Sequence, residues 1–264
     1  MLALQRAGVS QRVAIRTNPA RAQVLKSGGI EPVELKFGGI DFATRRRLAG
    51  LIREFQPDVV QTWMNRATRH CPSGDFVHVG WLGGYYDPKY FRRCDHVVAV
   101  TPDIVEHLRS EGGWVGTNSH YLPTFAPNVP APPVPRATFN TPDDVPLFLA
   151  LGRLHAKKAF DVLLLALAQV PTAYLWIAGE GPLQAELENQ MAALGLGDRV
   201  RFLGWRTDRE ALLAAADVCV MPSRYEPFGT VMIEAWAAKT PLIVAAAAGP
   251  KGLVTPDVDA ILVP

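Results

Sequence analysis

Ser223-Arg224-Tyr225-Glu226-Pro227-Phe228-Gly229-Thr230-Val231-Met232-Ile233-Glu234-Ala235 is the stretch on which the reading of this chain turns. Just before it, Val218 to Met221 is an apolar run of strand type. Pro222 and Pro227 bracket a polar loop, and from Gly229 helix formers continue through position 238. A strand that passes through a short loop into a helix is half of a parallel βαβ unit. Glu226 falls in the loop, and Glu234 is expected two turns into the helix. The amides of Phe228, Gly229 and Thr230 open that helix, where backbone N–H groups lack partners and the dipole favours an anion. The spacing suits a phosphate at the amides and sugar hydroxyls at the two carboxylates.

Outward from this motif the alternation fills residues 147–264. Strands are predicted at 147–151, 173–178, 200–203, 242–245 and 260–263, and helices at 159–169, 182–194 (with Pro182 near its first turn) and 209–215. Upstream, residues 123–146 hold eight prolines and no helical periodicity, which predicts a linker. Residues 1–122 alternate again. A helix tail at 2–7 is followed by strands at 12–16, 33–37, 58–62, 76–82, 95–100 and 120–122, with helices at 42–55 and 102–111. The expected fold class is α/β: two Rossmann-like, doubly wound parallel-sheet domains, 1–122 and 147–264, joined by the 123–146 linker. The first domain begins on a helix, so the strand expected before it is missing.

Composition narrows the function. With 264 residues and 48% hydrophobic content the chain can bury a sizeable core. A net charge of +2 is too balanced for a nucleic-acid binder. Residues 1–145 carry 17 Lys/Arg against 13 Asp/Glu, so the first half is mildly basic and hints at an anionic partner. Cys71, Cys94 and Cys219 are odd in number and far apart, which gives neither a disulfide framework nor zinc spacing and fits a reducing compartment. Arg6 and Arg12 interrupt the opening apolar residues, so no signal-peptide core forms, and no apolar window reaches the ~18 residues of a membrane span. A cytoplasmic protein is expected.

Gly152-Arg153-Leu154 follows the first strand of the second domain, with Lys158 five residues beyond Arg153. Ligands of doubly wound sheets bind beyond the carboxyl ends of the strands, an edge that Arg153, Lys158 and Glu226 would share. A guanidinium and an ammonium there suit a diphosphate, although either cation also reads as an ordinary solvated loop residue. Likewise, a Glu early in a helix often serves only the dipole. Gly179-Glu180-Gly181-Pro182 reads chiefly as a tight turn, and Asp257-Val258-Asp259 as a plain turn rather than a metal clip. None of the histidines has a partner at metal-ligand spacing, so no metal or cofactor is expected; His78 and His155 read as packed or solvated side chains. Arg45-Arg46-Arg47 is most simply a wet helix face, with contact to an anionic membrane surface as the lesser reading. Trp63-Met64-Asn65-Arg66 and Leu82-Gly83-Gly84-Tyr85-Tyr86-Asp87 each follow a strand end, where Gly83-Gly84 allows a close backbone approach and the tyrosines offer a sugar-stacking surface.

These residues resemble, in order, the motifs of the nucleotide-sugar-dependent, retaining family-4 glycosyltransferases of the GT-B fold. The resemblance runs from Gly152-Arg153-Leu154 through Lys158, Phe160-Asp161, Gly179-Glu180-Gly181-Pro182, Val200-Arg201-Phe202-Leu203-Gly204 and Ala216-Asp217 to the Glu226–Glu234 E-x7-E pair, covering 147–264. In the first domain, Val60-Gln61-Thr62-Trp63-Met64 and Gly83-Gly84-Tyr85-Tyr86-Asp87 look like a bacterial subgroup of lipopolysaccharide core assembly. The resemblance implies that Arg153 and Lys158 bind the donor diphosphate, that Glu226 meets the donor sugar, and that Glu234 accepts the ribose hydroxyls. It further implies that the Phe228, Gly229 and Thr230 amides face the phosphate and sugar, that Phe202, Gly204 and Trp205 border the base, and that no metal is needed. The chain departs from the family pattern at Ala159 and Lys239, where glycine is usual, and in lacking the opening strand with its Gly-rich loop and the closing helix, so both domains read as incomplete.

The function expected is transfer of a sugar, with retention, from a nucleotide diphosphate donor to a glycan or lipid-linked acceptor, in the cytoplasm or at the inner face of the membrane. Catalysis would fall to Glu226, Arg153 and Lys158. The alternative is a nucleotide-sugar-binding module without turnover. A hydrolase reading ranks last, because it leaves Arg153 and Lys158 without a task.

Overall fold

The computed structural model describes residues 1–114, 118–126 and 129–264, and its contacts divide the chain into two units. The first comprises 1–99 with 104–121, and the second 100–103 with 122–264.

In the first unit the elements are α1 (Leu2–Arg6), β1 (Ala14–Arg16), α2 (Pro19–Ser27), β2 (Val33–Leu35), α3 (Phe42–Phe55), β3 (Val59–Trp63), α4 (Met64–His70), β4 (Val77–Leu82), β5 (His96–Ala99), α5 (Pro102–Gly112, whose first two residues group with the second unit) and β6 (Ser119–Tyr121). All strand pairs are parallel: β1 with β2, and separately β3-β4-β5-β6 in that order. Helix starts follow capping chemistry. Asn18 Oδ1 accepts from Arg21 N at 2.9 Å ahead of Pro19, and Asp41 Oδ1 accepts from Thr44 N at 2.8 Å. Neither α2 nor α4 is expected from the sequence. α4 begins directly on the last residue of β3, with Met64 at φ 63° and no side-chain cap, so no turn residue announces it.

The second unit runs β7 (Leu147–Leu151), α6 (Phe160–Ala168), β8 (Tyr174–Ala178), α7 (Gln184–Ala193), β9 (Val200–Phe202), α8 (Arg209–Ala215), β10 (Val218–Met221), α9 (Thr230–Ala237), β11 (Leu242–Ala245), α10 (Ala248–Leu253) and β12 (Ile261–Val263). Its six parallel strands lie in the order β9-β8-β7-β10-β11-β12. The chain thus builds outward from β7 to one edge, then returns to the other side of β7 and builds outward again. That is the doubly wound order, and its switch point lies between β7 and β10. Val218 and Cys219 pair with Phe148 and Leu149 across it. Because helices cover both faces, the strands are apolar throughout. Leu147, Leu149, Leu151, Trp176 and Met221 pack with Met232 on one face, and Ala150, Leu175 and Ile177 with Leu163 and Leu164 on the other.

Several sequence expectations shift. The residues taken for a linker are, from Val134 onward, fastened to the second unit. Arg136 donates to the Ala215 carbonyl at 2.9 Å and to Asp217, Phe139 packs edge-on against Trp176 at 5.0 Å, and the Trp176 indole donates to Thr141 at 2.9 Å. A proline-rich composition hides this, because the docking is made by three side chains on and just after a single 3-10 turn, Arg136–Phe139, too short to show a period in the sequence. Pro182 precedes α7 in a turn rather than sitting within its first turn. Glu234 is the fifth residue of α9, just over one turn in rather than two. Residues 115–117 and 127–128 lie outside the described residues, and the Pro127 end of the expected linker falls among them.

Candidate functional site

Two loops leave the carboxyl ends of the adjacent strands β7 and β10, and side chains staple them together. Lys158 Nζ, after β7, donates to Glu226 Oε2, after β10, in a pair whose members are 24% and 11% exposed. Arg224 reaches back to Asp161, at 2.6 and 2.8 Å to its two oxygens, and to the Ala156 carbonyl. The Lys157 ammonium lies 4.3 Å from the centre of the Tyr225 ring, and Tyr225 N donates to the Lys157 carbonyl. The fork from Arg224 holds the Asp161 carboxyl below its ordinary range, with burial opposing. Sequence reasoning finds Lys158 and Glu226 but not Arg224, Asp161, Lys157 or Tyr225. The only hint was a cation and a ring among polar loop residues.

Arg153 is exposed on the same β7 loop and has no ion-pair partner among the described residues. Its guanidinium is therefore available. Gly229, at φ 91° and against Glu226, caps α9 in the left-handed region, and the described hydrogen bonds include none donated by the amides of Phe228, Gly229 or Thr230. The hydroxyl of Ser223, a 2% exposed residue at the start of the loop, also finds no partner. The buried Ser223 hydroxyl and the helix-opening amides are groups of the kind that a polar ligand satisfies.

Glu234 stands apart from this cluster. Its carboxylate is 9% exposed and receives Arg209 Nη1 from α8. Both line a cavity of about 350 Å³ with Val129, Pro130 and Lys239. Burial raises the Glu234 pKa, with Arg209 opposing and Glu210 adding to the rise. The structure thus brings Lys158 to Glu226 and gives Glu234 a different cation, Arg209, which the sequence did not single out.

The remaining expected residues sort by surroundings. Phe202 packs against the core below β9, while Trp205 beyond it is 73% exposed. The Gly204 carbonyl accepts from Gly179 N at 2.8 Å. Gly179, at φ 153°, lets the β8 loop touch the β7 loop: a Cβ there would lie 1.9 Å from the Gly152 oxygen. In the first unit Gly83 packs against Met64, Tyr85 meets His107 edge-on at a centroid separation of 5.5 Å, and Tyr86 lies tilted against Phe91 at 6.4 Å. His78 is buried against Thr62 and Cys94, and that burial lowers its pKa. His155 Nδ1 accepts from Lys157 N. Asp257-Val258-Asp259 forms a turn in which Asp259 Oδ1 accepts from Thr255 N. Among the described residues no group of three or more His, Cys, Asp or Glu side chains could hold a metal ion.

Comparison with known proteins sets these residues in a lineage. The family model described as Glycosyltransferase Family 4 matches residues 2–126, and that for Glycosyl transferases group 1 matches residues 135–264. The chain is 36% identical over 265 residues to the lipopolysaccharide core biosynthesis glycosyltransferase LpsD of Rhizobium meliloti, covering 99% of this chain and 77% of that protein. It is 37% identical over 204 residues to LpsE of the same organism, covering 76% of this chain and 59% of that one. Among solved structures, a glycosyltransferase from Rickettsia africae superposes with a TM-score of 0.85 at 18% identity, covering 99% of this chain and 78% of that one. Anabaena Alr3699/HepE, solved in complex with UDP and glucose, superposes at 0.79 and 21%, covering 95% and 77%. These structures share the α/β GT-B fold expected from the sequence.

Proposed function

Because this chain belongs to the family-4 glycosyltransferases, we propose that it moves a sugar from a nucleotide diphosphate donor to a glycan or lipid-linked acceptor of lipopolysaccharide core assembly, with retention. The observation that carries the reading is the Lys158–Glu226 pair beside an unpaired Arg153 at the switch point of the second sheet. A diphosphate gains negative charge as its bond to the sugar breaks. Fixed cations stabilise that developing charge more than the ground state, and this difference is what lowers the barrier.

On this reading Arg153 and Lys158 hold the diphosphate, and the free amides of Phe228, Gly229 and Thr230 add the positive end of α9. Glu226, fixed by Lys158, turns its other oxygen to donor-sugar hydroxyls. Glu234, buried against Arg209, accepts from the ribose in its carboxylate form. Phe202, Gly204 and Trp205 lie toward the base, and no metal is assigned a role. Gly83 and Gly84 belong to the acceptor side. The reading places the protein in the cytoplasm, at the inner membrane face, where Arg45, Arg46 and Arg47 lie exposed beside Ile40 and Phe42, at 89% and 78% exposure. No described helix is long and apolar enough to cross a membrane. Sedimentation with anionic vesicles, lost when the three arginines become Gln, tests that surface.

The central test is UDP-sugar binding and transfer by the Arg153→Ala/Lys158→Ala variant, with the product anomer read by NMR. Loss of both binding and transfer, and an unchanged anomeric configuration in the wild-type product, are expected. Unaltered transfer would end the proposal. Binding by the wild type without transfer would instead favour a nucleotide-sugar-binding module.

A further inference from the structure

The first unit holds a second cluster of cations that the donor site does not use. A cavity of about 330 Å³ opens where β1, β2 and β3 end, lined by Arg16 from β1, Gly38 and Gly39 after β2, and Arg66, Arg69 and His70 from α4. Parallel strands ending together make the edge at which doubly wound sheets take ligands.

The charge around the cavity is lopsided. Arg16, Arg66 and Arg69 form no ion pair with a carboxylate among the described residues. Arg69 instead spreads its guanidinium over the Tyr90 ring, at 5.4 Å, which leaves its N–H edges free. The carboxylate whose charge reaches His70 is Asp41, and it is already committed. It accepts from Gly38 N, Thr44 N and the Thr44 hydroxyl, and these bonds pull its pKa to about 2. Three guanidiniums gathered at one cavity, none ion-paired and with Asp41 as the carboxylate nearby, repel one another, and the arrangement is relieved by an anion.

His70 adds an independent sign. It is 6% exposed on the cavity wall, held edge-on against Phe37 at 5.6 Å, with Nε2 bonded to the Gly38 carbonyl at 2.8 Å. Its other nitrogen, Nδ1, is buried without a hydrogen-bond partner. A buried ring nitrogen is normally satisfied, so this one is an unmet polar group in the wall behind the cation-lined cavity.

We infer that this cavity is an oxyanion site that takes the phosphate monoester or carboxylate of a substrate group. Its assignment to the acceptor rests on the transferase proposal above; its chemistry does not. Planar guanidinium forks grip both kinds of group in the same bidentate way.

Calorimetry on the full chain tests it with phenyl phosphate, benzoate and phenyl glucoside, each added before and after saturation with UDP. Phenyl phosphate or benzoate should bind, the stronger of the two naming the group, and the glucoside should give no heat. The binding should persist in the presence of UDP and weaken by about tenfold or more in Arg66→Gln/Arg69→Gln, while UDP affinity stays unchanged. Should that double variant fail to fold, Arg16→Gln carries the same expectation at smaller size. Anion binding that is indifferent to these arginines, or that UDP abolishes, or that the neutral glucoside matches, overturns the inference. If UDP, GDP and ADP all fail to bind while the arginine-dependent anion heat remains, the donor reading falls and the oxyanion site stands.

Discussion

Replacing Lys158 with Gln separates what the Lys158–Glu226 pair does for folding from what it does for chemistry. The ammonium is 24% exposed and the carboxylate 11%, so removing the cation leaves a largely buried charge without its partner. Fully buried pairs broken in this way lose 3–5 kcal/mol, and exposed ones about 1 or less. The partial exposure of both groups puts the cost for Lys158→Gln between them, at roughly 1–3 kcal/mol. Adding Glu226→Gln removes the stranded charge, and two amides can hydrogen-bond to each other, so most of that loss should return. Catalysis should not follow stability. A fixed positive group facing a leaving diphosphate is worth about 10² to 10³ in rate, and the double variant restores no positive charge. Urea unfolding and UDP-sugar transfer measured on the wild type, both single variants and the double variant give the complete cycle. Transfer that recovers together with stability in the double variant would show that Lys158 is a structural anchor and refute its role at the diphosphate.

Three further predictions concern two left-handed positions, Lys239 and Ala159, and the buried carboxylate of α9. At the C-terminus of α9, Thr240 N bonds the Ala235 carbonyl and Lys239 N the Trp236 carbonyl, which puts Lys239, at φ 59°, on the position where glycine is favoured. Relief of the left-handed strain, about 1–2 kcal/mol, exceeds the chain-entropy cost of glycine, about 0.5–1 kcal/mol. Lys239→Gly should therefore stabilise the second unit by about 0.5–1 kcal/mol in thermal melts while Lys239→Ala does not; equal effects would refute the backbone cause. Ala159 has the same backbone, at φ 53°, but is buried, so the methyl lost in Ala159→Gly offsets the gain and leaves stability nearly level. For Glu234, a pKa raised by burial has two opposite consequences. Its contribution to stability is complete below the unfolded carboxylate pKa and fades as pH rises through the folded one. Its readiness to accept from ribose grows over that same rise, because only the carboxylate accepts from two hydroxyls. UDP affinity in calorimetry should thus climb with pH above the ordinary glutamate range, and Glu234→Gln should flatten that climb; a flat wild-type profile would remove Glu234 from the ribose.

What the sequence made legible was whatever repeats or punctuates locally. The apolar runs of β7 and β10, the loop prolines around Glu226 and the helix opening at Gly229 all announce themselves within a dozen residues. The general rule that ligands sit beyond strand carboxyl ends then put Arg153, Lys158 and Glu226 on one edge before any strand order was known. The order itself was not legible. Local periodicity cannot say that β10 returns to pair with β7 rather than with β9, yet that pairing is what carries Glu226 to Lys158 across 68 residues. For the same reason Arg224–Asp161 and Arg209–Glu234 were missed: each partner reads as an ordinary surface charge until the sheet brings them together. Short elements failed for a different reason. α10 spells Ala-Gly-Pro-Lys-Gly-Leu, a turn composition by every local measure. There Gly249 lies against the loop that carries Glu226: its N–H donates to the Glu226 carbonyl, and a Cβ would stand 2.6 Å from Phe228 N. The element least visible in the sequence is thus one of those that hold Glu226 in place. A side chain at position 249 should therefore disturb UDP binding by moving that loop, even though Gly249 itself offers no group to a ligand.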